Sequence, residues 1–190
     1  MSAQPKHRNA IVQSAAALFR RQGYAATGLA DIVERSGAPK GSLYHYFPRG
    51  KAQIGEAAVA SAGELVRRTL ATIGQEAADT SALIAEYVRW LVKWMEQSGW
   101  RDGCPITTVL LETAAVDEAI RAAGRTALSG WIAVVAEKLE GDGLPPEHAA
   151  DLAGFAISAL EGSLIQARVD QSPAPILAAG RLLGVLFRQA

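Results

Sequence analysis

The chain has 190 residues and a mass of 20.0 kDa, enough for one domain with a buried core or for a small domain joined to a larger one. Hydrophobic residues make up 49% of it and charged residues 20%, a balance that excludes an intrinsically disordered protein. The apolar stretch 152–160 is closed by Asp151 and Glu161, well short of the roughly 18 uncharged residues of a membrane-spanning helix. We therefore expect no membrane segment.

Cysteine content limits the chemistry and the compartment. Cys104 is the only cysteine, which excludes an internal disulfide framework and an all-cysteine metal site. The first ten residues, MSAQPKHRNA, carry positive charge with no apolar segment behind them, unlike a secretory signal. These features predict a protein of the reducing cytoplasm, and we expect no cofactor and no bound metal.

Charge is unevenly distributed along the chain, although the net charge is zero. Residues 1–51 contain eight basic residues against two acidic ones, Asp31 and Glu34, whereas residues 52–190 contain eleven basic and seventeen acidic residues. A basic N-terminal segment indicates contact with a polyanion; a chance surface distribution is the alternative.

Strand signals are nearly absent, and apolar residues recur at helical spacing in a sequence rich in Ala and Leu. Thr27 and Ser81 have the side chains to cap helices that begin beside them. The pattern predicts an all-α protein with about nine helices, at residues 6–22, 27–36, 39–47, 51–74, 81–99, 106–115, 117–140, 147–169 and 174–189.

Residues 29–47 combine a helix, a glycine turn and a second helix in the spacing of a helix-turn-helix motif. Val33 is placed to pack under the turn, Gly37 permits the backbone conformation of the turn, and Leu43 anchors the second helix from below. The same spacing also fits an ordinary helical hairpin within a bundle.

The third predicted helix, PKGSLYHYF at positions 39–47, has one apolar face formed by Leu43 and Phe47. Its other residues offer a cation, hydroxyl groups, aromatic rings and a glycine that permits close backbone approach. These groups suit phosphates and base edges in a DNA major groove. The predicted DNA-contact residues of this helix are Lys40, Gly41, Ser42, Tyr44, His45 and Tyr46.

The run from Thr27 to Lys51, with KGSLYHYF at positions 40–47, resembles the signature of the TetR family of bacterial transcriptional regulators. The corner at 48–51 and the segment Gly103-Cys104-Pro105 resemble its LmrA/YxaF branch. The resemblance implies a helix-turn-helix DNA-binding domain at residues 1–50 and a helical effector-binding and dimerisation domain at residues 51–190.

The resemblance also implies two phosphate contacts outside the third helix. Thr27 and Lys51 would bind phosphates at the N-termini of the second and fourth helices, where the helix dipoles favour anions. Gly28 stands where the family more often has Ser or Thr, which indicates one phosphate contact fewer. Pro39 stands in place of a usual Ser, which indicates a changed base preference.

An aromatic stripe on the predicted fifth helix is a candidate effector site. Such a stripe is more often core than pocket, whereas flat apolar ligands favour aromatic walls, and the resemblance implies a pocket among helices four to seven. Cys104 is either a ligand contact, a redox sensor or an inert core residue, and Glu112 either meets a ligand or turns outward. The predicted effector-binding residues are Tyr87, Trp90, Trp94, Cys104, Glu112, Trp131 and Phe155.

The last two predicted helices carry apolar stripes that one protomer does not fully cover. The resemblance implies that two copies build a four-helix interface, and a twofold dimer would present two recognition helices to successive major grooves. The predicted interface residues are Phe155, Ala159, Leu160, Ser163, Ile176, Gly180, Leu183 and Phe187.

These observations predict a ligand-responsive regulator, a repressor released from a palindromic operator when an aromatic or amphipathic effector binds its body. An activator or a ligand-independent regulator of the same fold is the alternative. Two other classes remain open at this point: an enzyme that uses Cys104 or His148, and a helical adaptor that binds only protein. Neither residue has a nucleophile–base motif around it, so we expect no enzymatic activity.

Overall fold

The computed structural model describes residues 5–189, and all regular structure in that range is helical. The predicted helix boundaries are confirmed to within a few residues. The helices are α1 (Pro5–Gln22), α2 (Leu29–Ser36), α3 (Lys40–Tyr46), α4 (Lys51–Glu76), α5 (Thr80–Gln97), α6 (Thr107–Thr113), α7 (Glu118–Gly141), α8 (Pro146–Asp170) and α9 (Ala174–Gln189). The first four residues, part of the segment used above to judge a targeting signal, lie outside the described range.

The chain divides into two compact units. The first comprises the chain up to Glu64 together with Cys104–Ala127, and the second comprises Leu65–Gly103 and Leu128–Ala190. Helices α4 and α7 therefore each contribute residues to both units. This division differs from the predicted functional boundary at residue 50, which stays a prediction.

In the first unit, α1 packs against α2 and α3. The shared core consists of side chains that are fully buried, and burying each of the larger ones (Ile, Leu and Phe) stabilises the fold by roughly 1.5–3 kcal/mol. Helix α2 ends at Gly37, whose φ of 62° is the left-handed conformation that glycine adopts without strain. The core residues of these three helices are Ile11, Ala15, Phe19, Ile32, Leu43 and Phe47.

The predicted caps of α2 and α5 are both wrong by one or two residues. Gly28 is the N-cap of α2, and its N–H donates to the Asp31 carboxylate at 2.8 Å. Asp79 is the N-cap of α5, and its side chain accepts from the Ala82 N–H at 2.7 Å. The hydroxyls of Thr27 and Ser81 donate instead to backbone carbonyls, those of Gly23 and Gly184 respectively.

Helix α6 is anchored in the first unit by its buried side chains Val109 and Thr113. Leu110 of α6 lies against Gly124 of α7, so closely that a Cβ on Gly124 would lie 2.5 Å from a Leu110 methyl group. The absence of a side chain at position 124 therefore lets α6 and α7 approach, which fixes the position of Glu112 on α6.

In the second unit, α9 packs against both α5 and α8. Gly180 of α9 lies against Val88 of α5, where a Cβ would come within 2.7 Å of a valine methyl group. The end of α7 reaches the start of α5 through Asp142, which accepts from the backbone N–H and the hydroxyl of Thr80. Across residues 5–189, no helix combines the length and the apolar content that crossing a bilayer requires.

Candidate DNA-binding surface

Helix α3 presents a polar and aromatic surface because its two apolar residues are buried. Leu43 and Phe47 are fully buried, as the sequence pattern predicts. Lys40 and His45 are exposed, Ser42 and Tyr46 are partly exposed, and the His45 and Tyr46 rings meet edge to face at 5.0 Å.

Gly41 and Tyr44 complete this surface. A Cβ on Gly41 would meet no described atom within 4 Å, so packing inside the protein does not require glycine there. Tyr44 is 53% exposed, a large exposure for an aromatic side chain. Beside it, a groove of about 330 Å³ lies between α2 and α3, with Val33, Lys40 and Tyr44 among its lining residues. The surface thus combines a cation, hydroxyl groups and a concave apolar wall.

Thr27, a predicted phosphate contact, differs in its surroundings from the predicted DNA-contact residues on α3. Its side chain is fully buried, and its Oγ1 donates to the Gly23 carbonyl oxygen at 2.8 Å. A hydroxyl in that position stabilises the turn between α1 and α2. The predicted phosphate contact of Thr27 stays a prediction.

Lys51 lies at the N-terminus of α4, where the resemblance places a phosphate contact. Its Nζ donates to the Ala25 carbonyl oxygen at 3.3 Å and lies 4.4 Å from the centroid of the Tyr24 ring, a cation–π contact. Partial burial lowers the pKa of the Lys51 ammonium below its ordinary value, while the negative charges of Glu112 and Asp31 oppose that shift. The cation is therefore held in place by the turn that precedes α2.

Glu112 of α6 binds the same turn. Its Oε1 accepts from the Tyr24 N–H at 2.9 Å, and its Oε2 accepts from the Ala25 N–H at 2.6 Å. Burial, followed by the negative charges of Asp117 and Glu112, raises the pKa of the Tyr24 phenol. Sequence reasoning missed this contact, and its only signal was a carboxylate on a short, otherwise uncharged helix. The predicted effector contact of Glu112 stays a prediction.

The other predicted effector residues are divided between the two units. Cys104 is buried in the first unit, where its carbonyl oxygen accepts from the Thr108 hydroxyl at 2.9 Å. In the second unit, Tyr87 stacks on Trp90 with ring centroids 5.7 Å apart, and Trp90 stacks on Trp94 at 6.2 Å. The stripe predicted on α5 is thus a ladder of nearly parallel rings.

Trp131 and Phe155, the last two predicted effector residues, lie in contrasting environments of the second unit. Trp131 is fully buried, whereas Phe155 is 58% exposed. Within the described part of the chain, no group of three or more His, Cys, Asp or Glu side chains is arranged to bind a metal ion.

Most of the predicted dimer-interface residues are buried inside their own protomer, and their place in an interface stays a prediction. Ala159 is partly exposed, and Gly180 lies against α5. The helical pattern correctly identified apolar stripes, but these stripes pack among α5, α8 and α9. Five of the predicted residues are buried there: Leu160, Ser163, Ile176, Leu183 and Phe187.

A different apolar face of α8 and α9 is exposed. On α8, the exposed positions 155, 158, 165 and 169 and the partly exposed position 162 recur at spacings of three and four residues, which places them on one side of the helix. On α9, Leu182 and Val185 are exposed. Phe155 is the one member of the predicted interface set that belongs to this face.

Two families match the chain in consecutive segments. Residues 11–58 match the bacterial regulatory proteins of the tetR family, and residues 80–182 match the C-terminal domain of LmrA/YxaF-like transcriptional regulators. The first segment contains α2, α3 and the start of α4, and therefore both the exposed surface of α3 and Lys51.

Known proteins are similar to this chain over nearly its full length. YxaF of Bacillus subtilis (strain 168), an uncharacterized HTH-type transcriptional regulator, is 32% identical over 189 residues, covering 100% of this chain and 99% of YxaF. LmrA of the same organism, an HTH-type transcriptional regulator, is 31% identical over 170 residues, covering 90% of each chain. The crystal structure of a TetR regulatory protein from Rhodobacter sphaeroides matches with a TM-score of 0.82 at 25% identity, covering 93% of this chain and 96% of that one.

These relatives are transcriptional regulators and not enzymes, which confirms the prediction that the chain is no enzyme. The matched segments together span the helix-turn-helix and most of the helices that follow it. The chain belongs to the TetR family of bacterial transcriptional regulators, with the DNA-binding head of that family and an LmrA/YxaF-like C-terminal domain.

Proposed function

We propose that this protein is a dimeric, ligand-responsive repressor that binds a palindromic operator and leaves it when an aromatic or amphipathic effector binds. The observation that carries the proposal is the surface of α3, where buried Leu43 and Phe47 leave Lys40, Ser42, Tyr44 and His45 for contact with DNA. Lys40 and Ser42 read base edges or adjacent phosphates, and Tyr44 and His45 contact the backbone and the edge of the groove.

Lys51 supplies a phosphate contact at the N-terminus of α4. A cation at that place adds to the favourable potential of the helix N-terminus and binds phosphate without regard to sequence. Lys40 and Lys51 therefore have different functions, one specifying bases and one fixing the position of the head on the duplex.

The stacked rings of Tyr87, Trp90 and Trp94 support an effector site for a flat or amphipathic molecule. An effector that binds one conformation better than another shifts the population towards that conformation, and affinity for the operator changes by the same coupling factor. In this proposal the favoured conformation holds the two heads of the dimer at the wrong spacing for successive major grooves. A screen of planar compounds by tryptophan fluorescence tests the site, and the absence of quenching by any of them would count against it.

The DNA-binding part is tested by selecting genomic fragments that the purified protein retains, followed by titration of a retained fragment and a random duplex. Lys51→Ala weakens binding to both duplexes and lowers the salt slope by about one phosphate contact. Lys40→Ala costs about 1–3 kcal/mol on the selected fragment and relaxes base preference. Equal losses on both duplexes for Lys40→Ala and Lys51→Ala would show that Lys40 does not read bases. Failure of the wild-type protein to retain any fragment at low salt would refute the proposal.

A further inference from the structure

The carboxylate of Glu112 makes two hydrogen bonds to the turn between α1 and α2. It accepts from two successive backbone N–H groups, those of Tyr24 and Ala25, at 2.9 and 2.6 Å. Hydrogen bonds to a charged acceptor are roughly twice as strong as neutral ones. The residues that it joins are 87 and 88 positions apart in the chain, so the contact fixes α6 to the turn.

The turn is shaped to admit this carboxylate. Gly23 has a φ of 88°, a conformation that side chains rarely adopt. A Cβ at that position would lie 2.6 Å from Oε1 of Glu112, which is closer than atoms can approach. Glycine is therefore favoured by the backbone of the turn, and a side chain at position 23 would displace the carboxylate from where it lies.

Lys51 binds the same peptide segment through a different backbone atom. The Ala25 N–H donates to Glu112, and the Ala25 carbonyl oxygen accepts from Nζ of Lys51 at 3.3 Å. The ring of Tyr24, whose N–H also donates to Glu112, lies under the Lys51 ammonium at 4.4 Å. Both contacts that hold the cation are thus made by residues whose N–H groups the carboxylate holds.

We propose that Glu112 is a positioning residue for DNA binding: by holding the backbone of Tyr24 and Ala25, it orients Lys51 towards a DNA phosphate. This proposal rests on the phosphate contact of Lys51 in the proposed function. Without the carboxylate, the turn is free to change its conformation, and Lys51 loses the carbonyl oxygen and the ring that direct it.

Positioning and simple charge make opposite predictions for the removal of this carboxylate. Glu112 is negative, as is DNA, so removal of its charge alone would strengthen binding by reducing repulsion. Loss of positioning weakens binding instead, because the Lys51 side chain then loses conformational entropy when it binds the phosphate. The sign of the change therefore distinguishes the two effects.

The experiment measures the affinity of the full chain for a fluorescein-labelled 30-base-pair random duplex and for a selected genomic fragment, at several salt concentrations. Glu112→Ala removes both acceptors, and Glu112→Gln retains the shape and one oxygen. We expect Glu112→Ala to bind both duplexes about tenfold more weakly, with a salt slope lowered by about one contact, and Glu112→Gln to lie between it and the wild type. Lys51→Ala should lower the slope equally, and the double variant Glu112→Ala/Lys51→Ala should lower it no further.

Glu118→Gln is the matched control, because it removes one negative charge from the same unit at an exposed ion pair with Arg121. It should leave the slope unchanged. Helical circular dichroism and thermal melting verify that the variants fold, and a purely structural loss would lower the melting temperature without removing a contact from the slope.

Three outcomes would overturn the inference: a full salt slope in folded Glu112→Ala, additive slopes in the double variant, or unfolding of both Glu112 variants, which would make the carboxylate a requirement of the fold. Each of these is distinct from a wild-type protein that binds neither duplex, which would refute the proposed function itself.

Discussion

At Gly41 we expect helix stability and DNA binding to favour different residues. Glycine inside a helix costs about 0.5–1 kcal/mol relative to alanine, and a Cβ at this position would project into open space. We therefore expect Gly41→Ala to stabilise the protein by about that amount and to weaken its binding to a selected operator fragment, because the added methyl group blocks close approach of the duplex.

Urea unfolding and a binding titration on the same Gly41→Ala sample check both halves of this prediction. Gly141→Ala is the control, since Gly141 also lies in a helix and also faces open space, but at the end of α7. It should leave DNA affinity unchanged. Unaltered affinity in Gly41→Ala would mean that the backbone of α3 does not closely approach DNA.

We expect Lys51 to make DNA affinity sensitive to alkaline pH. Burial lowers its pKa from the ordinary 10.5, so in the free protein it loses its proton at a lower pH than an ordinary lysine. A bound phosphate favours the charged form, and affinity therefore falls as pH rises through the lowered pKa. The raised pKa of Tyr24 keeps its phenol neutral beyond its ordinary value of 10.0.

The measurement is the affinity for a random duplex between pH 7 and pH 10 at constant ionic strength. Lys51→Arg keeps its charge throughout this range, because a guanidinium does not deprotonate in proteins. We expect the wild type to lose affinity relative to Lys51→Arg before pH reaches 10.5. Parallel profiles for the two proteins would contradict a phosphate contact by Lys51.

At the scale of whole helices, their C-terminal ends are the features that the sequence predicts best, because the signals that terminate a helix are local. Gly23 and Gly37 both adopt positive φ at helix ends, which glycine alone does readily. The capping side chains were predicted less well, because Thr27 and Ser81 have partners that only the folded chain brings near. The Ser81 hydroxyl donates to Gly184, 103 residues away.

The start of α5 depends on such a distant partner. Oδ2 of Asp142 accepts from the N–H of Thr80 at 2.7 Å and from its hydroxyl at 2.6 Å, and Thr80 is fully buried. Asp142→Ala leaves buried donors without their acceptor, so we expect a loss of about 1–3 kcal/mol in the free energy of unfolding. Glu140→Ala, an exposed carboxylate two residues earlier, should cost far less in the same urea titration. An equally small loss of stability in both variants would mean that water replaces the Asp142 carboxylate as the acceptor for Thr80.

For the molecule as a whole, the recognition surface and the interface between copies differ in how far sequence alone predicts them. The surface of α3 follows from one short helix with two apolar residues, Leu43 and Phe47, because burying them leaves only one orientation. Helices α8 and α9 each carry both buried and exposed apolar residues: Leu160 and Phe155 on α8, and Leu183 and Leu182 on α9. Periodicity shows which residues share a face of a helix. It does not show whether that face packs against other helices of the same protomer or against a second protomer.

The role of Glu112 could not be predicted for a related reason. A carboxylate that accepts from backbone N–H groups has no recognisable motif in the sequence around it, since any turn of suitable shape offers the same donors. The contact depends on the tertiary packing of α6, including the approach of Leu110 to Gly124. Contacts of this kind between distant segments require the folded structure.

The exposed face of α8 and α9 leads to the prediction that concerns the assembly. Phe155 is 58% exposed and Leu182 71% exposed, and two such faces brought together would remove this apolar surface from water. We expect Phe155→Asp and Leu182→Asp to produce folded monomers in analytical ultracentrifugation. Operator affinity should fall steeply, because a single head makes only half of the contacts. Val116→Asp, at an 84% exposed apolar residue of the first unit, should remain dimeric and bind normally. If both substitutions on α8 and α9 left the sedimentation of the protein unchanged, another face would have to hold the copies together.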